Sequence, residues 1–188
     1  MIEVRSAQHA SYRLVAVAAV GLAVTLHFVL MGRAVLMLNV GLVAAYFVWA
    51  ARDADREPDF AALLPVYLAA VAVQGLHLGE EFLTGFQRDF PGLFGYEWTD
   101  FRFLTFNLVW LAIFVIAAVG VRRRQGFALL IVWFFAIVGG IGNGIGHLVL
   151  MAAARAYFPG AVTAPACLVL GVLLIRRLVS VPSGAVKS

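Results

Sequence analysis

The sequence predicts an all-α fold, a polytopic membrane protein built as one bundle of six transmembrane helices with both termini in the cytoplasm. Composition carries the class: of 188 residues, 63% are hydrophobic and only 13% charged, and the mean hydropathy is +0.96. A water-soluble surface cannot be assembled from so few charges. The apolar residues also fall into six runs, most of them near the roughly 20 residues that cross roughly 30 Å of hydrocarbon. Lys and Arg set the orientation. With the N-terminus inside, Arg5, Arg13, Arg52, Arg56, Arg122, Arg123, Arg124, Arg176, Arg177 and Lys187 flank the inner side, against Arg33, Arg88, Arg102 and Arg155 outside.

The first run, Leu14 to Met31, follows Arg5 and Arg13 as a signal peptide's apolar region would. It is longer than such a region and lacks an Ala-x-Ala exit, so it is expected to be the first span. Ala34 to Ala51 follows across Gly32-Arg33, which predicts a tight helical hairpin. The third span, Phe60 to Phe82, contains Pro65, easiest to place in a first turn. Phe103 to Val121 and Phe127 to Met151 are the fourth and fifth. Ala161 to Ile175 is short and needs tilt or an interfacial extension to serve as the sixth. Residues 1–188 thus read as a single membrane domain, with a disordered tail expected from Val179 to Ser188.

The segment 84–102 joins the third and fourth spans. Its glycines, Pro91 and the aromatics Phe86, Phe90, Phe94, Tyr96, Trp98 and Phe101 fit either a lid lying in the interface or a plain aromatic belt.

Charge and cysteine content remove several function classes. The pI of 9.7 reflects basic residues in short groups beside apolar runs, so no nucleic-acid partner is expected. Cys167 is the sole cysteine, which excludes an internal disulfide framework and a cysteine-based metal site.

Polar residues within the spans sort by depth. On this topology His27, Asn39, Gln74, His77, Glu80, Glu81, Asn107, Asn143 and His147 all fall in the outer leaflet, whereas the inner halves are aliphatic and aromatic, with Tyr46, Trp49, Tyr67 and Trp133. Such sorting predicts a polar cavity opening outward. Two clusters stand out within it. His77, Glu80 and Glu81 are spaced i, i+3, i+4 and share a helix face, and Asn143 and His147 form another i, i+4 pair.

Magnitudes argue against an incidental cluster. An acidic residue at mid-membrane costs roughly 2.5–3.5 kcal/mol, whereas each Leu, Ile, Val or Phe returns roughly 0.3–0.6. The plainer alternative is that the third helix leaves the hydrocarbon at Leu78, making the glutamates a hydrated helix end. Pro65 opposes this, because a span starting at Leu64 would run to about Leu83.

Two imidazoles, two carboxylates and an amide match a four-coordinate zinc site with one open position. His77, Glu81 and His147 are the expected ligands and Glu80 the general base, with the two glutamates interchangeable. Asn143 would orient water or hold a developing oxyanion. His27 is a candidate further ligand or proton relay, although a single such histidine more often bonds a neighbouring helix. Asn39, Gln74 and Asn107 fit interhelical hydrogen bonds, and Gly139, Gly140, Gly142, Gly144 and Gly146 fit close packing or a bend. Iron is the alternative metal; a His-rich di-iron centre fails because only four histidines exist and His9 lies outside the membrane.

The helix motif partly resembles the inverted zincin pattern His-x-x-Glu-His, with Glu81 in place of the last imidazole. Taken together, His77, Glu80, Glu81, Asn143, His147 and the run Tyr157-Phe-Pro159-Gly160-Ala-Val-Thr163-Ala resemble a family of small bacterial membrane proteins named for an HXXEE motif, from the third span to the sixth. The resemblance implies that these residues form a site. The family has no established activity, and a proteolytic or hydrolytic role has been suggested from the motif.

The functional expectation is a metal-dependent intramembrane hydrolase in the plasma or bacterial inner membrane. Its site faces the periplasmic or extracellular side and takes a lipid-like or other apolar substrate from the bilayer. An iron-dependent membrane oxidoreductase is one alternative. The other is a non-enzymatic proton-linked transporter or lipid-binding protein, for which the apolar inner leaflet offers no through-path.

Overall fold

The structure, a computed structural model, describes residues 2–52 and 58–180, with side chains from Tyr12 onward. Among them there are helices and turns but no strand; most of the expected tail, 181–188, lies outside the described residues. Four segments are long and apolar enough to cross a membrane: Tyr12–Arg52, Phe60–Thr84, Asp100–Arg122 and Gly126–Ala154. The sequence suggested six runs, and the difference has two causes. The first segment, 41 residues long, holds two of those runs, and the last helix, Ala164–Val179, has only 16 residues.

Tyr12–Arg52 doubles back on itself. Helix α1 (Ile2–Met31) passes through a 3₁₀ turn, Gly32–Val35, into α2 (Leu36–Arg52). Gly32 has φ +71°, and a Cβ there would come 2.7 Å from the Tyr96 ring, so both backbone and space require glycine. The turn is tied by Arg33 Nε donating to the Tyr96 hydroxyl at 2.9 Å and by Trp98 Nε1 donating to the Met31 carbonyl at 2.9 Å. At the other end the Arg13 guanidinium donates to the Ala50 carbonyl at 2.9 Å, so the two helices are antiparallel.

Helix α3 (Phe60–Thr84) starts at Asp59, whose carboxylate accepts from the Ala61 and Ala62 amides at 3.0 and 3.1 Å. Pro65 therefore lies in the second turn rather than the first. The helix ends at Gly85, φ +98°, whose amide donates to the Glu81 carbonyl at 3.0 Å. Glu80 and Glu81 are thus inside a closed helix and not on a frayed end.

A short helix α4 (Phe86–Gly92) and a turn lead to α5 (Asp100–Arg122), capped by the Thr99 hydroxyl accepting from the Arg102 amide at 3.2 Å. Then α6 (Gly126–Phe134), a π-helical stretch (Phe135–Gly142) and α7 (Asn143–Ala154) form one continuous helix. The wide π turns shift the face that α7 presents relative to α6, a feature frequent at functional sites. Of the five glycines expected to pack closely or bend this helix, Gly140 and Gly144 abut a neighbouring helix, whereas Gly146 has nothing within 4 Å of an added Cβ. A Cβ on Gly140 would lie 2.5 Å from Gly171 Cα on α8 (Ala164–Val179), and one on Gly144 would lie 2.5 Å from Leu168 Cβ.

This contact gives a first prediction. Gly140→Val is expected to push the helices apart and lower stability by about 1–3 kcal/mol, the usual cost of overpacking. Gly75→Ala, where nothing lies within 4 Å of the added methyl, is expected to be neutral or stabilising. Thermal unfolding in detergent distinguishes the two.

Two apolar clusters divide the interior. The large one includes Leu42, Leu63, Tyr67, Phe114, Val132, Phe135 and Leu174; the smaller one holds Met31, Val35, Leu78, Trp98 and Phe103, with Phe82, Phe86 and Phe90 against it. The buried polar side chains, His27 on α1, Asn39 on α2, His77 and Glu81 on α3, Gln87 on α4 and His147 on α7, belong to neither cluster.

Candidate metal centre

Helix α3 places His77 and Glu81 one turn apart on one face, and α7 brings His147 against them. The Nε2 atoms of the two histidines are 3.2 Å apart, and Glu81 Oε1 lies 3.5 Å from His77 Nε2 and 3.1 Å from His147 Nε2. All three residues are buried, with exposures of 0%, 5% and 3% for His77, Glu81 and His147. These three residues form a group that could hold a metal ion.

The hydrogen bonds around the rings say where the protons are. His147 Nδ1 lies 2.6 Å from the Pro159 carbonyl, which can only accept, so Nδ1 carries the proton. His77 Nδ1 lies 2.6 Å from the Thr163 hydroxyl. That hydroxyl spends its one proton on Glu80 Oε2 at 2.5 Å, so it must accept from His77. In neutral rings both Nε2 atoms are therefore bare lone pairs facing each other and a carboxylate.

With both rings neutral the three acceptors would repel one another, and taking a carboxylate out of water costs several kcal/mol unless it is compensated. A cation at their centre reverses the sign. An ion bonded at about 2.0–2.1 Å in tetrahedral geometry sets its ligands about 3.3–3.4 Å apart. The observed edges, 3.1, 3.2 and 3.5 Å, bracket that value. Second partners on both Nδ1 atoms are the usual means of orienting metal-binding histidines.

Glu80, read from the sequence as the base or a further ligand, points elsewhere. Oε1 accepts from the Tyr157 hydroxyl at 2.8 Å and the Val162 amide at 2.9 Å, and Oε2 from the Thr163 amide at 2.8 Å and the Thr163 hydroxyl. Four donors on two oxygens leave it outside the three-residue group. Partial burial, with the Glu80 carboxylate adding to it, holds the Tyr157 hydroxyl above the ordinary phenol range, so it stays a donor at neutral pH.

His27 is not in the group either. Its Nδ1 donates to Asn39 Oδ1 at 2.6 Å and its Nε2 accepts from Trp110 Nε1 at 3.1 Å, which occupies both nitrogens and ties α1 to α2 and α5. Asn107 donates to the Phe103 carbonyl of its own helix at 3.0 Å, and Gln74 leaves Oε1 buried without a partner. Among the described residues neither makes the interhelical bond expected of it. Asn143 begins α7 one turn before His147, half-buried, and its side chain makes no hydrogen bond among the described residues.

The three residues of the group are covered rather than open to solvent in this structure. The Phe86 ring at the head of α4 sits 5.1 Å from the His147 ring, with Phe158 6.1 Å from Phe86. Below them Gly160, φ +89°, comes so close that a Cβ would collide with the His147 ring and lie 3.0 Å from His77 Cε1. Of the segment 84–102, Phe86 is the residue set against the group, while Trp98 packs on Phe90 and Phe103 and Gln87 bonds Asp100 at 3.0 Å.

Sequence reasoning did not assign roles to Thr163, Tyr157, Gly160 or the Pro159 carbonyl. The Pro159-Gly160 dipeptide was the available signal, since it marks a tight turn just where a chain must approach two rings. No family model, curated protein or solved structure matches this chain, so its site is defined by its own geometry.

Proposed function

We propose that the chain is a metal-dependent intramembrane enzyme, a hydrolase that holds zinc at His77, Glu81 and His147 and acts on a lipid-like or other apolar substrate. The observation that carries this reading is the set of three buried, mutually facing acceptors whose spacing suits a tetrahedral ion. Zinc bound by two histidines and a glutamate, with one position left over, supplies Lewis acidity and a nucleophile at neutral pH.

The chain's own residues divide the remaining work. Glu81 brings the compensating charge. Glu80, occupied by four donors, is a positioning group, and in this reading proton transfer falls to the second oxygen of Glu81. Phe86 and Phe158 exclude water, which strengthens every charge interaction at the group. The resemblance to the HXXEE-motif family belongs to this proposal, since its characteristic residues are those just described.

Iron fits the same donor types, as two histidines and a carboxylate also bind ferrous iron in oxygenases. Zinc is preferred in this reading because two histidines and one carboxylate with a position left over are a donor set of catalytic zinc. A second reading has a specific observation behind it: the 3.1 Å His147–Glu81 contact is also an ordinary hydrogen-bond distance, as a proton relay would need.

Topology completes the proposal. α1, α2, α3, α5, the Gly126–Ala154 helix and α8 make six crossings with both termini cytoplasmic and the group in the outer leaflet. Trp49 Nε1 donating to the Gly126 carbonyl at 2.9 Å supports it, bringing Arg52 and the Arg122–Arg124 turn to one end.

Elemental analysis of the detergent-purified protein, paired with hydrolysis of lipid ester and peptide substrates in micelles, tests this reading. About one zinc per chain and a chelator-sensitive hydrolysis restored by zinc are expected. Iron in its place would move the assignment to an oxidoreductase, and metal-free protein of full stability would favour the relay.

A further inference from the structure

The direction of a single hydroxyl proton decides whether His77 can bind a cation, and Glu80 sets that direction. We infer that Glu80 and Thr163 are positioning residues that lock His77 in the Nδ1–H tautomer, keeping its Nε2 lone pair aimed at Glu81 and His147.

The chain of contacts runs Tyr157 and Val162 to Glu80, Glu80 to Thr163, and Thr163 to His77. Both oxygens of Glu80 already accept from backbone amides, Val162 at 2.9 Å and Thr163 at 2.8 Å, and the Tyr157 hydroxyl adds a third donor at 2.8 Å. That is the environment of an ionised carboxylate, which has no proton to give. Thr163 must then donate to Glu80, and its oxygen lone pair is what remains for His77 Nδ1 at 2.6 Å. Reversing one link reverses all of them. Were Thr163 to donate to Nδ1 instead, the ring proton would move to Nε2 and stand between His77 and any ion.

The arrangement is built into the fold rather than borrowed from a mobile surface. Glu80 and His77 are three residues apart on α3, and the 157–163 turn is fixed over them by Gly160, whose lack of a side chain lets the backbone lie against both imidazoles. The turn thereby delivers Pro159 O to His147 and Thr163 to His77. One loop sets both tautomers.

Glu80→Gln is the informative change, because an amide has the carboxylate's shape but not its polarity. Its NH₂ group must face donors at one oxygen position or the other. If it faces Thr163, the hydroxyl is forced to accept there and donate to His77. Thr163→Val removes the hydroxyl at constant shape, while Thr163→Ser retains it.

Two readouts test the inference. In metal-free, ¹⁵N-histidine-labelled protein in bilayers near pH 9, where free imidazoles are neutral, His77 is expected to show a protonated Nδ1 and a bare Nε2. Thr163→Ser should keep that pattern, Thr163→Val should lose it, and Glu80→Gln should lose it in the molecules whose NH₂ group faces Thr163. In zinc titrations Thr163→Val and Glu80→Gln should weaken affinity about 10–100-fold, and Thr163→Ser by less than about threefold.

The titration rests on the metal reading, whereas the tautomer measurement does not. An Nε2–H ring in the wild type, or Val and Ser variants with the same ring pattern, overturns the inference. If no variant and no wild type binds zinc while the ring pattern follows the substitutions, the lock stands and the metal reading falls.

Discussion

Replacing His77 or His147 with alanine is expected to reduce bound metal from about one ion per chain to a background level, with affinity down by more than about 100-fold. The reasoning is that changing partners outside the ligands typically costs 10–100-fold, and these two imidazoles supply two of only three protein donors. Loss of the ion also leaves Glu81 buried without its cation, so these variants are expected to be less stable as well as metal-poor. His27→Leu is the matched control. It removes a buried histidine of the same polar layer that bonds Asn39 and Trp110, so it should cost about 1 kcal/mol of stability and leave metal content unchanged. Elemental analysis of the three purified variants against wild type reads the contrast. Equal metal in all of them would mean that any ion sits elsewhere.

Gly160→Ala is expected to damage the centre more than any other single-methyl change. Two costs add. The backbone at φ +89° strains any residue with a Cβ, by about 1–3 kcal/mol. The added methyl would also be driven into the His147 ring and to 3.0 Å from His77 Cε1. Relief requires either the loop to lift, which breaks the Pro159 and Thr163 bonds to the Nδ1 atoms, or the rings to rotate out of line. Both routes lower metal affinity as well as melting temperature. Gly75→Ala, open on all sides, should change neither. Unfolding curves with and without added zinc would read the two effects separately, and a Gly160→Ala protein that melted and bound zinc like wild type would contradict the placement of this loop.

The sequence carried the helical, membrane-spanning class because composition and run length are properties of single segments. It also carried the His77–Glu81 pair, since helical spacing alone sets those side chains one turn apart. That His147 reaches the same place could not be read from spacing within one helix, and the structure shows that it does meet His77 and Glu81. Glu80 was not legible in the same way. Its partners include the amides of Val162 and Thr163, and backbone donors carry no residue signature. The π turns of Phe135–Gly142 were equally hidden, although the dense glycines there signalled close packing against Gly171 and Leu168. The hairpin at Gly32 was legible from its Gly-Arg break between two apolar runs. Four segments rather than six meet the length and apolarity needed to cross because that hairpin lies within one of them and the last helix has only 16 residues.

Zinc K-edge X-ray absorption of the zinc-loaded, detergent-purified protein tests most directly whether His77, Glu81 and His147 share one ion. A shell of about four nitrogen and oxygen atoms near 2.0–2.1 Å, including two imidazoles and no sulfur, is the expected spectrum, and it is expected to be lost in His147→Ala. A six-oxygen shell without imidazole scattering, the same in wild type and His147→Ala, would contradict it.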